Sequence, residues 1–151
     1  ACISNDDWGF NTQTMLSVEQ MRKYVFPWHI KIANAIKSRG KFAILHSCGY
    51  YGEIIDDMVL DMKYDARHSF EDNIIPIEKA YPQMNKRMAL LGGIDVDFIC
   101  RSRPEDVYNR ACRMLELADQ GGYALGSGNS IPYYVPAEGY LAMIAAALVN
   151  R

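Results

Sequence analysis

The sequence predicts an α/β chain built from parallel βα repeats. Short apolar runs closed by glycine recur along it, and longer segments with helical spacing lie between them. The runs cover residues 42–45, 64–70, 88–91 and 123–125, and Ile3-Ser4-Asn5 reads as the tail of a further strand. Runs that are apolar throughout suit strands buried on both faces, and strand–helix alternation favours a parallel sheet with helices outside. Strands starting near residues 41, 64, 87 and 122 leave room for about four and a half βα units in a single domain over residues 1–151.

The helices can be justified one at a time. Ser17 and Gln20 form a capping-box pattern, and Met21, Val25, Trp28, Ile32 and Ile36 follow at helical spacing. Pro27 should kink or split this helix, and Gly40 suits the C′ position after it. Residues 53–62 make a second, shorter helix. Residues 77–81 make a brief third, closed by Pro82. Ser102 as N-cap, Pro104 in the first turn and Glu105 start a fourth, whose apolar face is Val107, Ala111, Met114, Leu115 and Ala118 and which Gly121-Gly122 stops. Residues 137–149 form a last helix, apolar nearly all round and expected to be well buried.

Composition narrows the function classes. Of 151 residues, 50% are hydrophobic and 23% charged, which excludes a disordered tail, a collagen-like repeat and a small disulfide scaffold. Sixteen Lys plus Arg against eighteen Asp plus Glu gives a net charge of −2, with no basic stretch to bind nucleic acid. No apolar run approaches the roughly 18 residues that a membrane span needs. Four cysteines (Cys2, Cys48, Cys100, Cys112) without CxxC spacing suggest reduced thiols and a cytoplasmic setting. The start at Ala1-Cys2-Ile3 reads as a piece of something longer.

Parallel α/β folds place their chemistry at the C-terminal strand ends. Those ends carry Asp6-Asp7, His46-Ser47-Cys48-Gly49, His68-Ser69, Gly92-Gly93-Ile94-Asp95 and Gly126-Ser127-Gly128-Asn129. In an extended segment residues i and i+2 share a side, so His46 and Cys48 can converge on one ion while Ser47 points away. Zinc accepts imidazole nitrogen and thiolate sulfur, and a third ligand would come from Asp7, His68, Asp95 or Asn129. A satisfied histidine beside a buried cysteine is the plainer alternative. His68 suits a general acid or base, a ligand or a bonded loop histidine, and Asp7 a metal ligand or a loop cap. Asp95 suits substrate contact or the cap of a helix at 96–99. The turn Gly126-Ser127-Gly128-Asn129-Ser130 could hold an anion through backbone NH groups, and Tyr133-Tyr134 suit either the lining of a pocket or plain packing. His29, inside the first helix, reads as structural. There is no Walker loop, GxGxxG, GxSxG elbow or HExxH.

Taken in order, Asp6-Asp7-Trp8-Gly9, Leu16-Ser17, Phe26-Pro27-Trp28, Ile44-Leu45-His46-Ser47-Cys48-Gly49, Leu91-Gly92-Gly93-Ile94-Asp95 and Gly126-Ser127-Gly128-Asn129-Ser130-Ile131-Pro132 resemble the uroporphyrinogen decarboxylase superfamily. The resemblance implies the C-terminal half of a (β/α)8 TIM-type barrel, with the N-terminal half as a partner or a dimer covering the open edges. One branch removes carboxylates from a tetrapyrrole in porphyrin biosynthesis. The other comprises corrinoid-linked methyltransferases, whose zinc sits on His-x-Cys plus a later Cys. Against the decarboxylase, Ser127 stands where that branch has a histidine, a serine would match Asp7, and His-x-Cys-Gly is foreign to it. Against the methyltransferase, His46 and Cys48 match but Asn129 replaces the later cysteine, leaving Asn129, Asp7 or His68 as the third ligand. The resemblance therefore implies a zinc-assisted methyltransferase moving a methyl group to or from a corrinoid protein, with a small methyl donor or thiol as substrate. Asp7, His68 and Asp95 would be catalytic, and Ser127, Gly128, Asn129 and Tyr133 would bind substrate. The alternatives are the decarboxylase and an inert half-barrel that only associates.

Overall fold

The computed structural model describes residues 1–150. Its sheet has five strands in the order β1-β2-β3-β4-β5: β1 (Cys2–Asp7), β2 (Ala43–Cys48), β3 (Ala66–His68), β4 (Ala89–Leu91) and β5 (Tyr123–Ala124). Every pairing is parallel. Sequential order without a reversal is the pattern of a barrel wall, because crossovers of one hand place all helices on one face.

The helices are α1 (Val18–Gln20), α2 (Phe26–Lys37), α3 (Ile77–Met84), α4 (Val96–Arg101), α5 (Pro104–Leu117) and α6 (Ala137–Val149). The Ser17–Gln20 capping box forms in both directions. Between α1 and α2 the chain makes a π-turn over Met21–Val25, closed by the Phe26 amide on the Met21 carbonyl. A π-turn holds one residue more than an α-turn and rotates everything after it by about 100°. The buried face is therefore Met21, Phe26, His29 and Ala33, while Trp28 is 62% exposed. The expected stripe of Val25, Trp28, Ile32 and Ile36 is displaced by one position.

Other helix expectations are corrected too. Residues 52–61 form a 3₁₀ turn and a π-turn around two α-helical residues. Pro82 lies inside α3, which runs on to Met84 because Ile77, Ala80, Tyr81 and Met84 are all buried. Packing of that face outweighs the one backbone bond that a proline forfeits. Ser102 ends α4, and Arg103 is the N-cap of α5. Pro104 holds the residue before it extended, so the cap moves to Arg103, whose guanidinium bonds Asp106. In α6 only Gly139, Met143 and Ala146 are buried, while Leu141 and Val149 are 61% and 72% exposed. α6 is apolar nearly all round, yet α5 and the end of α4 cover only one side of it.

One core cluster runs through the domain, with Leu45 and Leu90 from the sheet against Ile54, Met58, Ile77, Ile99, Val107 and Met114. Along β2, Ala43, Leu45 and Ser47 face this core, while Ile44, His46 and Cys48 are half-buried on the opposite side. That alternation sends imidazole and thiol to the same face. Among the described residues all four cysteines are free, and no helix is long and apolar enough to cross a membrane.

Candidate metal centre and its adjoining cavity

The parallel register assembles the site. Asp7 lies opposite Cys48, and His46 opposite His68. One ligand atom from each of Asp7, His46 and Cys48 falls within 4.8 Å of the other two. Gly49 follows Cys48 with φ +86°, and a side chain there would overlap the Gly9 backbone. The glycine lets the turn after β2 cross close to the segment that follows Asp7.

The two adjacent aspartates have different jobs. Asp6 accepts from Trp8 Nε1 at 2.8 Å and faces His29 Nε2 at 3.0 Å. His29 is buried, with Nδ1 2.9 Å from the Tyr64 hydroxyl, so it is structural. Asp7 is exposed, and its Oδ1 accepts from the Cys48 amide at 3.3 Å. Only Asp7 of the pair is turned toward the thiol.

A chain of bonds orients His46. The Ser127 carbonyl can only accept, so His68 donates to it from Nε2, 3.1 Å away. Neutral His68 then has a lone pair on Nδ1. His46 Nδ1 sits 2.6 Å from that atom and carries the proton between them. His46 Nε2 is left with a bare lone pair, 3.5 Å from Cys48 Sγ. Burial, offset in part by the Ser127 bond, pushes the His68 pKa below its ordinary value and favours the neutral ring on which this order depends. Gly92 makes room, since with φ +80° a side chain there would strike both the Ser127 carbonyl and the His68 ring.

The thiol has its own partners. Ser69 Oγ donates to Cys48 Sγ at 3.5 Å, and Asn129 Nδ2 at 3.2 Å. Burial raises the Cys48 pKa and Asp7 adds to the rise, while the bonds from Ser69 and Asn129 oppose it. A cation between sulfur and carboxylate would reverse the balance. The set fits zinc. Bonds of about 2.3 Å to sulfur and 2.0 Å to nitrogen, at the tetrahedral angle, separate those ligands by about 3.5 Å. His46 and Cys48 already stand at that separation.

A family model described as uroporphyrinogen decarboxylase (URO-D) matches residues 1–148. The chain belongs to the uroporphyrinogen decarboxylase family. A solved structure, a methyltransferase from Methanosarcina mazei, superposes with a TM-score of 0.77 at 21% identity over 98% of this chain. The match spans 41% of that protein, so the five strands correspond to part of a larger barrel. A search of curated proteins finds no match.

Within this family member the remaining expected site residues are spread out. Asn129 is at the candidate metal cluster, but through its amide nitrogen, which cannot ligate; its Oδ1 accepts from the Ser130 amide. Asp95 caps α4 by accepting from Phe98 N at 3.0 Å and also holds Asp72 N at 2.9 Å. Ser127 offers its carbonyl to His68, while its hydroxyl bonds the Asn129 carbonyl. Gly128 is buried, its amide bonded to the Ile94 carbonyl and its carbonyl to the Phe70 amide. Tyr133 is wholly exposed, and it is Tyr134 that lines a cavity.

Sequence reasoning missed Arg67. Its side chain is fully buried, lies 3.8 Å above the Tyr51 ring, and bonds the Ser47 and Ser69 carbonyls. Burial without a carboxylate partner lowers its pKa to about 10. It ties the end of β2 to the loop after β3, on the core side of the strand that presents His68. The only signal for it in the sequence was an arginine within an apolar run.

Proposed function

We propose that the chain carries the metal-binding strand ends of a zinc-assisted methyltransferase, which moves a methyl group to or from a corrinoid held by a partner protein. The observation that carries this reading is the bare Nε2 of His46, set at a tetrahedral edge from Cys48 Sγ with Asp7 across the strand. His46, Cys48 and Asp7 would hold the ion and leave a fourth position for substrate, as catalytic zinc sites do. Bound zinc supplies Lewis-acid activation of a substrate heteroatom. The chain's own groups do the rest. His68 and the Ser127 carbonyl fix the His46 ring, while Ser69 and Asn129 donate to the Cys48 sulfur and would support its thiolate on the ion. The fold likeness to a methyltransferase supports the same reading.

The competing activity within the family is tetrapyrrole decarboxylation. A substrate with many carboxylates needs basic groups to receive it. The cavity beside the candidate metal cluster has Glu71, Asp72, Asp95 and Asp97 in its wall, and the two arginines that meet them are already paired, Arg101 with Asp97 and Arg110 with Asp72, which favours methyl transfer. The test is metal content of the purified chain by mass spectrometry, beside His46→Ala and Cys48→Ala. We expect one zinc per chain, lost in both variants, and, in the loaded protein, transfer of the methyl group of added methylcobalamin to an added thiol, giving the methyl thioether and cobalamin in its reduced cobalt(I) form. Absence of zinc after loading, or zinc retained in both variants, would sink the reading.

A further inference from the structure

The pairing of β2 with β3 stops short of the candidate site. Its register ends with His46 against His68, whereas β1 stays paired with β2 as far as Cys48. Ser47 and Cys48 thus run past the last partner on the β3 side. Arg67 takes over there. It lies opposite Leu45 and so faces the core. One amino group of its guanidinium donates to the Ser47 carbonyl at 3.1 Å, and the other donates to the Ser69 carbonyl. A side chain continues the cross-strand bonding where the main chain has given it up.

The arrangement is costly. Arg67 is wholly buried, and among the described residues no carboxylate bonds it and its Nε has no partner. The Tyr51 and Phe70 ring centres lie 3.8 and 5.0 Å from its guanidinium carbon. A buried cation without an anion loses its hydration, and carbonyl dipoles and ring faces return only part of it. A neutral side chain would fill the same space at less cost. What arginine adds is a flat fork that holds two acceptors at a fixed spacing. Those two acceptors frame the site. The Ser47 carbonyl lies in the chain between His46 and Cys48. The Ser69 carbonyl belongs to the residue whose hydroxyl donates to Cys48 Sγ at 3.5 Å.

We propose that Arg67 is a positioning residue for the His46–Cys48 pair. By clamping the Ser47 and Ser69 carbonyls from the core side, it keeps Cys48 Sγ within reach of both His46 Nε2 and the Ser69 hydroxyl. The inference rests on the metal reading for its purpose. The clamp itself needs no ion, so it is tested on the metal-free chain as well, and the two fail separately.

The test is Arg67→Lys, whose single ammonium keeps the charge but lacks the fork. The amides of Cys48, Tyr50 and Phe70 are each bonded across the site. In the metal-free variant their hydrogen exchange should quicken at least about tenfold more than that of the α5 amides. In the zinc-loaded variant, affinity should fall by about tenfold, and cobalt in place of zinc should show weaker thiolate-to-metal absorption. Ser69→Ala should weaken zinc by about threefold in the parent and have no further effect in Arg67→Lys, where the hydroxyl is already displaced. Tyr51→Leu removes the ring beside the guanidinium. It should give the same pattern more weakly, and it carries the test if Arg67→Lys does not fold. An equal rise in exchange at the three amides and in α5, or no rise at all, would overturn the proposal. So would zinc losses that simply add in the double variant. A parent that takes up no zinc, with the rise still confined to the strand ends, would overturn only the metal reading.

Discussion

His46 Nδ1 and His68 Nδ1 lie 2.6 Å apart on neighbouring parallel strands, the two rings inclined by 34°. Two imidazole nitrogens can share one proton at that distance. Its ownership is decided at the far end, where the Ser127 carbonyl demands a donor from His68. His68 would thus act on the candidate metal centre through His46 and without ligating. Replacing it with leucine removes the acceptor for the His46 proton and frees the tautomer. We expect His68→Leu to lower zinc affinity by about 10–100-fold in a competition with a chelating dye. His68→Gln should recover part of the loss, because an amide can accept from His46 and donate to Ser127. Unchanged affinity in His68→Leu would mean that the relay does not set the His46 lone pair.

Asn129 stands where a ligand would be useful, with its amide 3.2 Å from Cys48 Sγ. An amide nitrogen cannot enter the coordination shell, whereas a thiolate at the same place can. Asn129→Cys should therefore tighten zinc binding by about tenfold or more under reducing conditions. Cobalt substituted for zinc should show stronger thiolate-to-metal absorption. If the variant binds zinc no better than the parent, the ion does not sit on the Asn129 side of Cys48.

The convergence of His46, Cys48 and Asp7 was legible in the sequence because it follows from alternation. His46 and Cys48 are two apart on a strand, and Asp7 ends the strand before. The His46–His68 pairing was not legible, since it depends on the register between strands 22 residues apart in the chain. Arg67 was hidden for a related reason: its burial depends on Tyr51 and Phe70, which come from loops. The face of α2 was misread by one residue, because nothing local in Met21–Val25 announces a π-turn. The apolar sequence of α6 gave its limits but not which side would find a partner.

Arg110 offers a test of what supports the cavity wall. Its side chain is 8% exposed and bonds Asp72 and Glu78 together, at 2.6 and 2.7 Å for the shortest contacts. Both carboxylates are 34% exposed, so water screens part of their attraction. Arg110→Met leaves them facing each other without a cation and should cost about 2–3 kcal/mol, less than the loss of a partner in a fully buried pair. The pH response identifies the cause. Burial alone would raise the Glu78 pKa, but the bonds from Arg110 outweigh it and hold it below the ordinary 4.5. A carboxyl lowered in this way binds fewer protons folded than unfolded. Its contribution is full above 4.5 and is lost as the pH falls toward the folded value. The unmodified chain should lose thermal stability through that window, and the Arg110→Met variant should lose less there, having already lost the bond. A variant with the same acid slope as the parent would place the source of that slope elsewhere.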